Sequence, residues 1–142
     1  MTNENIFEEE KAGYNQQRDF TSLICWKDAR KMKRFFYKKI IPCLPAEEKY
    51  NLNIQIRKAG VSATANIAEG YGRFHYQEGI QFYRISRGSI YELKDHLISC
   101  SDLEYINKQL YDEGINLIET TKISLNGFIK YVKNRKNANN NQ

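Results

Sequence analysis

Apolar residues recur along most of this chain at steps of three and four, the spacing of one helix face, and no stretch alternates with the period of two that marks a strand. The cleanest example is the series Leu110, Gly114, Leu117, Thr121, Leu125, Phe128 and Val132, a heptad-like seam that predicts a helix over about 107–133. Phe82, Ser86, Ser89, Leu93, Leu97 and Cys100 trace a similar stripe, predicting a helix over about 76–100 that breaks at Ser101 and Asp102. Upstream, Pro45 with Glu47 and Glu48 suits a first helical turn, and Gly70 and Gly72 close the segment. Before that, Thr21 or Ser22 can cap a helix reaching about Ile41, where Pro42 and Pro45 stop it. Four helices joined by short loops predict an all-α fold, an antiparallel up-down-up-down four-helix bundle over 19–136. Residues 1–18 show no sustained period and read as a flexible acidic leader, and 137–142, nearly all Asn, as a disordered tail.

Charge changes the picture of the first helix. The chain carries a formal +5, but residues 1–19 hold Glu4, Glu8, Glu9, Glu10 and Asp19 against Lys11 and Arg18, a local balance of −3. Residues 27–39 hold Lys27, Arg30, Lys31, Lys33, Arg34, Lys38 and Lys39 against Asp28, a balance of +6. At about 100° per residue, Cys25, Ala29, Phe36 and Ile40 gather within about 80° of Met32, while Lys27, Arg30, Lys31, Arg34 and Lys38 share the opposite stripe. A single charged helix is most often just solvated on that side. The scarcity of acids there, with Asp28 alone interrupting the run, leaves the usual i to i+4 pairing unmade and favours a polyanionic partner, nucleic acid or acidic protein. Arg73, Arg84, Lys130 and Lys133 are further candidate phosphate contacts.

The segment Asn66-Ile67-Ala68-Glu69-Gly70-Tyr71-Gly72-Arg73 is not a nucleotide loop, because it follows a helix and lacks the third glycine and the downstream acid. Polar groups and glycines in half-apolar helices point to packing or function. Asn66 and Glu69 are therefore expected to meet Arg87, Ser89 or Glu92 across a close contact between the second and third helices. Gly88, together with Gly70 and Gly72, is expected to permit the approach. Aromatic residues make up 13%, and Tyr71, Phe74, Tyr76 and Tyr83 fall beside Arg73 and Arg84. Such a cluster can stack on unpaired bases or cover an interface between copies of the chain; the second reading is preferred.

These motifs carry a family resemblance. Glu48-Lys49-Tyr50, Gln55-Ile56-Arg57-Lys58-Ala59, the 66–73 segment, Arg87-Gly88-Ser89 and Glu92-Leu93 together resemble the small four-helix-bundle proteins encoded by intervening sequences of bacterial 23S ribosomal RNA genes, a family related to the accessory variability proteins of diversity-generating retroelements. The resemblance covers about 26–133. One departure is Thr64, where relatives carry proline, which implies a less kinked second helix here. The resemblance implies a homopentameric ring without catalytic activity. It also implies binding of RNA or a ribonucleoprotein through basic surfaces, with a reverse transcriptase as a possible protein partner.

Other chemistry finds little support. Cys25, Cys43 and Cys100 sit among apolar neighbours at no ligand-like spacing, and read as reduced core thiols. His75 and His96 are the only histidines, and Glu92 with His96 has a spacing of four, not the three of a di-iron helix, so no metal or other cofactor is expected. Adjacent acids such as Glu47 and Glu48 diverge by about 100° and cannot share a substrate. No apolar run reaches the roughly 20 residues that span a bilayer, so a cytoplasmic location is expected, and the basic stripe with the resemblance makes a non-enzymatic scaffold that binds structured RNA the leading reading. The alternative is a module that docks an acidic protein without touching RNA.

Overall fold

The computed structural model describes residues 19–140. Four long helices fill them: α1 Ile24–Phe35, α2 Leu52–Gly72, α3 Tyr76–Asp102 and α4 Lys108–Asn140. Each packs on its neighbours in chain order and α4 closes back on α1, the neighbour pattern of an up-down-up-down bundle. Among the described residues there is no strand, and no helix is long and apolar enough to cross a membrane.

The core is built from the predicted stripes, with one shift. On α4, Leu125, Phe128 and Val132 are fully enclosed, but Leu110 and Leu117 are only partly covered and Ile118 takes the central place. Tyr83 of α3 is wholly buried, with its ring edge-on to Phe128 at 4.9 Å. Tyr71 is buried as well, so two of the four aromatics grouped by sequence belong to the core and cannot stack on bases; Phe74 is exposed and Tyr76 half-buried.

Helix ends depart from expectation for identifiable reasons. Pro42 has no amide hydrogen, and its ring clashes with a helical carbonyl four residues back. The α1 ladder consequently ends at Phe35, widens to a π turn over Phe36–Ile40 and tightens to a 3-10 turn over Ile41–Cys43, which leaves Cys43 exposed where a core thiol was expected, while Cys25 and Cys100 are buried. Neither Thr21 nor Ser22 caps α1; Asp19 caps a short 3-10 turn over Phe20–Ser22, and Leu23 leads into α1 with no side-chain cap. Pro45 likewise opens only a 3-10 turn, Ala46–Glu48, because Glu48 is turned inward. Its carboxylate accepts from Tyr105 Oη at 2.9 Å and Asn51 Nδ2 at 3.1 Å, tying the two loops at that end of the bundle together. Asn107 caps α4, accepting from the Leu110 amide at 2.9 Å. At its other end α4 runs on to Asn140, so 137–140 are helical where a disordered tail was expected. The acidic leader, 1–18, and residues 141–142 lie outside the described residues.

The seam between α2 and α3 is made by smaller groups than the sequence motif indicated. Ser86 Oγ donates to the Ala63 carbonyl at 2.6 Å and Ser89 Oγ to Ser62 Oγ at 2.6 Å. Asn66, Glu69, Arg87 and Glu92 do not bond to one another. Asn66 Nδ2 turns back to Ser62, Glu69 pairs with Arg73 at 2.7 Å on the surface, Arg87 reaches Asn126 of α4 at 3.1 Å, and Glu92 is exposed. The expected buried pair is thus an exposed i to i+4 pair, worth about 0.3–0.5 kcal/mol. Close approach occurs at one glycine of the motif. A Cβ on Gly70 would lie 2.7 Å from Tyr83 Cε1, 2.9 Å from Phe82 Cβ and 3.0 Å from the Gly79 carbonyl, whereas Gly72 and Gly88 face open space. Thr64 sits in an uninterrupted helix and accepts from Lys33 Nζ of α1 at 3.0 Å.

Candidate nucleic-acid interface

The site begins with the amphipathicity of α1. Met32, Ala29, Cys25 and Phe35 point into the bundle, and the 100° step between residues carries Arg30, Lys31 and Arg34 outward. Lys27, Arg30, Lys31 and Arg34 line one shallow depression on that outer side. Among the described residues, Lys31, Arg34 and Lys38 form no ion pair. Arg30 lies over the Trp26 ring at 5.7 Å, and Trp26 is braced edge-on by Phe20 at 5.1 Å, so this guanidinium is held rather than free to sweep.

Asp28, the one acid in the run, does not sit among these cations. It is half-buried against α4, facing the Ser124 hydroxyl. Burial raises its pKa above the ordinary carboxylate value, and the Ser124 hydrogen bond and the charge on Lys31 only partly offset that. The linkage sign follows. A carboxyl whose folded pKa is raised binds its proton more tightly in the folded state, so its contribution to stability is greatest at low pH and is lost as pH rises from about 3.8 through the folded value. Asp28→Asn removes that loss. Chemical denaturation of both proteins across pH 4 to 7 should show the stability difference moving in the variant's favour as pH rises; a difference independent of pH would contradict the assignment.

A second basic group is assembled from residues distant in sequence. Arg84 of α3 and Lys133 of α4 border one groove with Gln77, Ile80, Lys136 and Asn137. Lys136 joins them only because α4 extends beyond the expected end. Arg135, on the same stretch, hydrogen-bonds Tyr76, which holds its guanidinium more firmly protonated. Arg73 does not join a cationic surface: its charge is answered by Glu69, and its guanidinium lies over the Phe82 ring at 5.2 Å. Lys130 is exposed on α4 but does not border this groove.

Two groups of importance were not singled out from sequence. Lys33, one of the bases of 27–39 but outside the stripe, turns to Thr64, and burial with the nearby Arg30 charge lowers its pKa. Its stem passes 3.2 Å from where a Gly60 Cβ would stand, so that glycine makes its path possible. Lys39 joins Lys31, Arg34 and Lys38 around a groove between α1 and α4, because the π turn after Phe35 shifts the helical register by one residue. Of the histidines, His75 caps α3 by accepting from the Glu78 amide at 3.3 Å, and His96 Nδ1 lies 3.9 Å from Asp95. Among the described residues no group of three or more His, Cys, Asp and Glu is placed to hold a metal ion.

Fold and surface together define the class as an all-α four-helix-bundle protein with an outward-facing cationic helix. The family model for the 23S rRNA-intervening sequence protein matches residues 21–127, and the chain belongs to that family. A comparison with curated proteins finds no match.

Proposed function

We propose that this protein is a non-enzymatic cytoplasmic scaffold that binds structured RNA, or an RNA-protein complex, through the outer face of α1, and that it acts as a homo-oligomeric ring that repeats that face. The observation that carries the reading is the gathering of Lys27, Arg30, Lys31 and Arg34 around one depression while Asp28 is withdrawn toward Ser124. Lys31 and Arg34 form no ion pair among the described residues, and such exposed cations are what a phosphate backbone neutralises, with a gain from released counterions. Repetition around a ring adds weak contacts by avidity. Membership of a family whose description names ribosomal RNA supports an RNA-related role. The groove formed by Arg84, Lys133 and Lys136 is a second place for phosphates in the same footprint. The test is affinity for a structured RNA measured against salt, where log affinity should fall linearly with log salt at a slope of about −0.7 to −0.9 for each phosphate neutralised.

Self-association has its own support on α3. Gly88 is exposed in mid-helix with nothing within 4 Å of a Cβ position, and Ile85 and Tyr91, each 50% exposed or more, lie about 60° to either side of it. That is a shallow channel with a glycine floor, which another helix can enter closely. Gly88→Ala should stabilise the separated chain by about 0.8–1 kcal/mol through helix propensity alone. Gly88→Arg should instead block assembly, and light scattering should report a lower mass with an unchanged circular dichroism spectrum. Equal masses for parent and Gly88→Arg would remove this face from the interface.

A second reading, docking of an acidic protein segment without RNA contact, is favoured by one feature: the groove between α1 and α4 has an apolar floor beneath its lysines, contributed by Phe35 and Leu117.

A further inference from the structure

We infer that the acidic segment 4–10 of this same chain docks in the groove between α1 and α4, between Lys31, Arg34, Lys38 and Lys39. Three observations converge. First, complementarity is local in both partners: Glu4, Glu8, Glu9 and Glu10 flank Ile6 and Phe7 in sequence, and the groove rings Phe35 and Leu117 with four bases. Glu113 is the one acid that borders it. Second, the tether is long enough. Nine residue steps, across the eight residues 11–18, separate Glu10 from Asp19, an extended reach of about 30 Å, while Ile24 to Phe35 spans about 17 Å along α1. Third, the competing groove at Arg84, Lys133 and Lys136 offers three bases and only Ile80 as apolar lining, a poorer match for four carboxylates and two large apolar side chains.

Docking in cis needs little intrinsic affinity. A tether this short in sequence holds the segment at an effective concentration of about 1 mM, so a contact with a Kd of about 0.2 mM is occupied most of the time. Lys31 and Arg34 border both this groove and the depression assigned to RNA. If RNA uses that depression, which rests on the function proposed above, the leader is a built-in competitor that weakens RNA binding about sixfold and discriminates against weak polyanions.

The test uses the full chain. Carbodiimide treatment joins carboxylates to lysines in contact, and mass spectrometry should find Glu8, Glu9 or Glu10 joined to Lys31, Lys38 or Lys39, with yield lost in 1 M salt where screening acts over about 3 Å. A mixture of isotopically light and heavy protein should give links within one label only; mixed-label links would overturn docking in cis. Links found only to Lys133 or Lys136, or no links at all, would overturn the site. Separately, Glu8→Gln, Glu9→Gln and Glu10→Gln combined should raise RNA affinity about sixfold at low salt, with no difference at high salt. If the links form but RNA affinity is unchanged in this variant, competition is overturned while docking stands. If neither protein binds RNA, the RNA reading fails and the cross-links still judge the docking.

Discussion

Gly70→Val should lower the stability of this protein by about 3 kcal/mol, among the largest effects of a single substitution outside the fully buried side chains. Ordinarily a helical glycine is replaced at a gain, because it contributes backbone freedom to the unfolded state, worth about 0.8–1 kcal/mol relative to Ala. At Gly70 that gain is reversed by contact. The first carbon added would meet the Tyr83 ring at 2.7 Å, Phe82 Cβ at 2.9 Å and the Gly79 carbonyl at 3.0 Å. Tyr83 cannot yield, since it is fully enclosed and set against Phe128, and a backbone carbonyl yields only if α3 itself moves. Overpacking of a closed site costs about 1–3 kcal/mol, and two further methyl groups place Val at the upper end. Gly72→Ala supplies the control from the same motif: its Cβ meets nothing within 4 Å, so it should be neutral or mildly stabilising. Thermal unfolding of the pair should separate them by roughly 10 °C. Equal melting temperatures would show that the α2–α3 contact at this point is not tight.

That pair also marks where the sequence was legible and where it was not. Period and punctuation located four helices, because burial of one stripe per helix is the dominant force and leaves its spacing in the chain. The motif 66–73 reads as a contact of α2 with α3, but spacing cannot say which of its members faces inward. Within it Gly70 makes the contact, joined by Ser62 from the turn upstream of the motif, whereas Glu69 and Gly72 face water. Glu48 was assigned to a helix dipole from its place after Pro45, while the fold uses it to join two loops through Tyr105, a partner 57 residues away that no local rule points to. Asp28 is a different kind of miss. The helical arithmetic that grouped the bases places Asp28 about 40° from Met32, on the core side, so its withdrawal from the cationic stripe was already written in the sequence. The Arg84, Lys133 and Lys136 groove needed both the topology and the true end of α4, neither of which a local pattern carries.

Arg30→Glu with Arg34→Glu should weaken binding to structured RNA by about 25- to 60-fold at 0.1 M salt. Each phosphate contact releases about 0.7 to 0.9 of a counterion, so losing two contacts costs a factor of about 10 raised to 1.4–1.8 at that salt, before any repulsion from the new carboxylates. The loss should be nearly uniform across RNA sequences, because phosphate contacts position a complex without reading bases. It should also shrink as salt rises, with the log-log slope falling by about 1.4–1.8. Folding should persist: both side chains are exposed, Arg34 has no ion pair among the described residues, and the cost at Arg30 is the Trp26 contact, about 0.5–1 kcal/mol at an exposed site. The effect is distinguishable from general loss of charge, because Lys49→Glu with Lys58→Glu changes net charge equally at exposed residues that border neither the α1 depression nor the groove of Arg84, Lys133 and Lys136. A folded α1 variant that binds as the parent does would transfer the site to that groove. If the parent itself fails to bind RNA at low salt, the exposed bases Lys31 and Arg34 are left to an acidic protein surface, and the groove at Phe35 and Leu117 becomes the place to look for it.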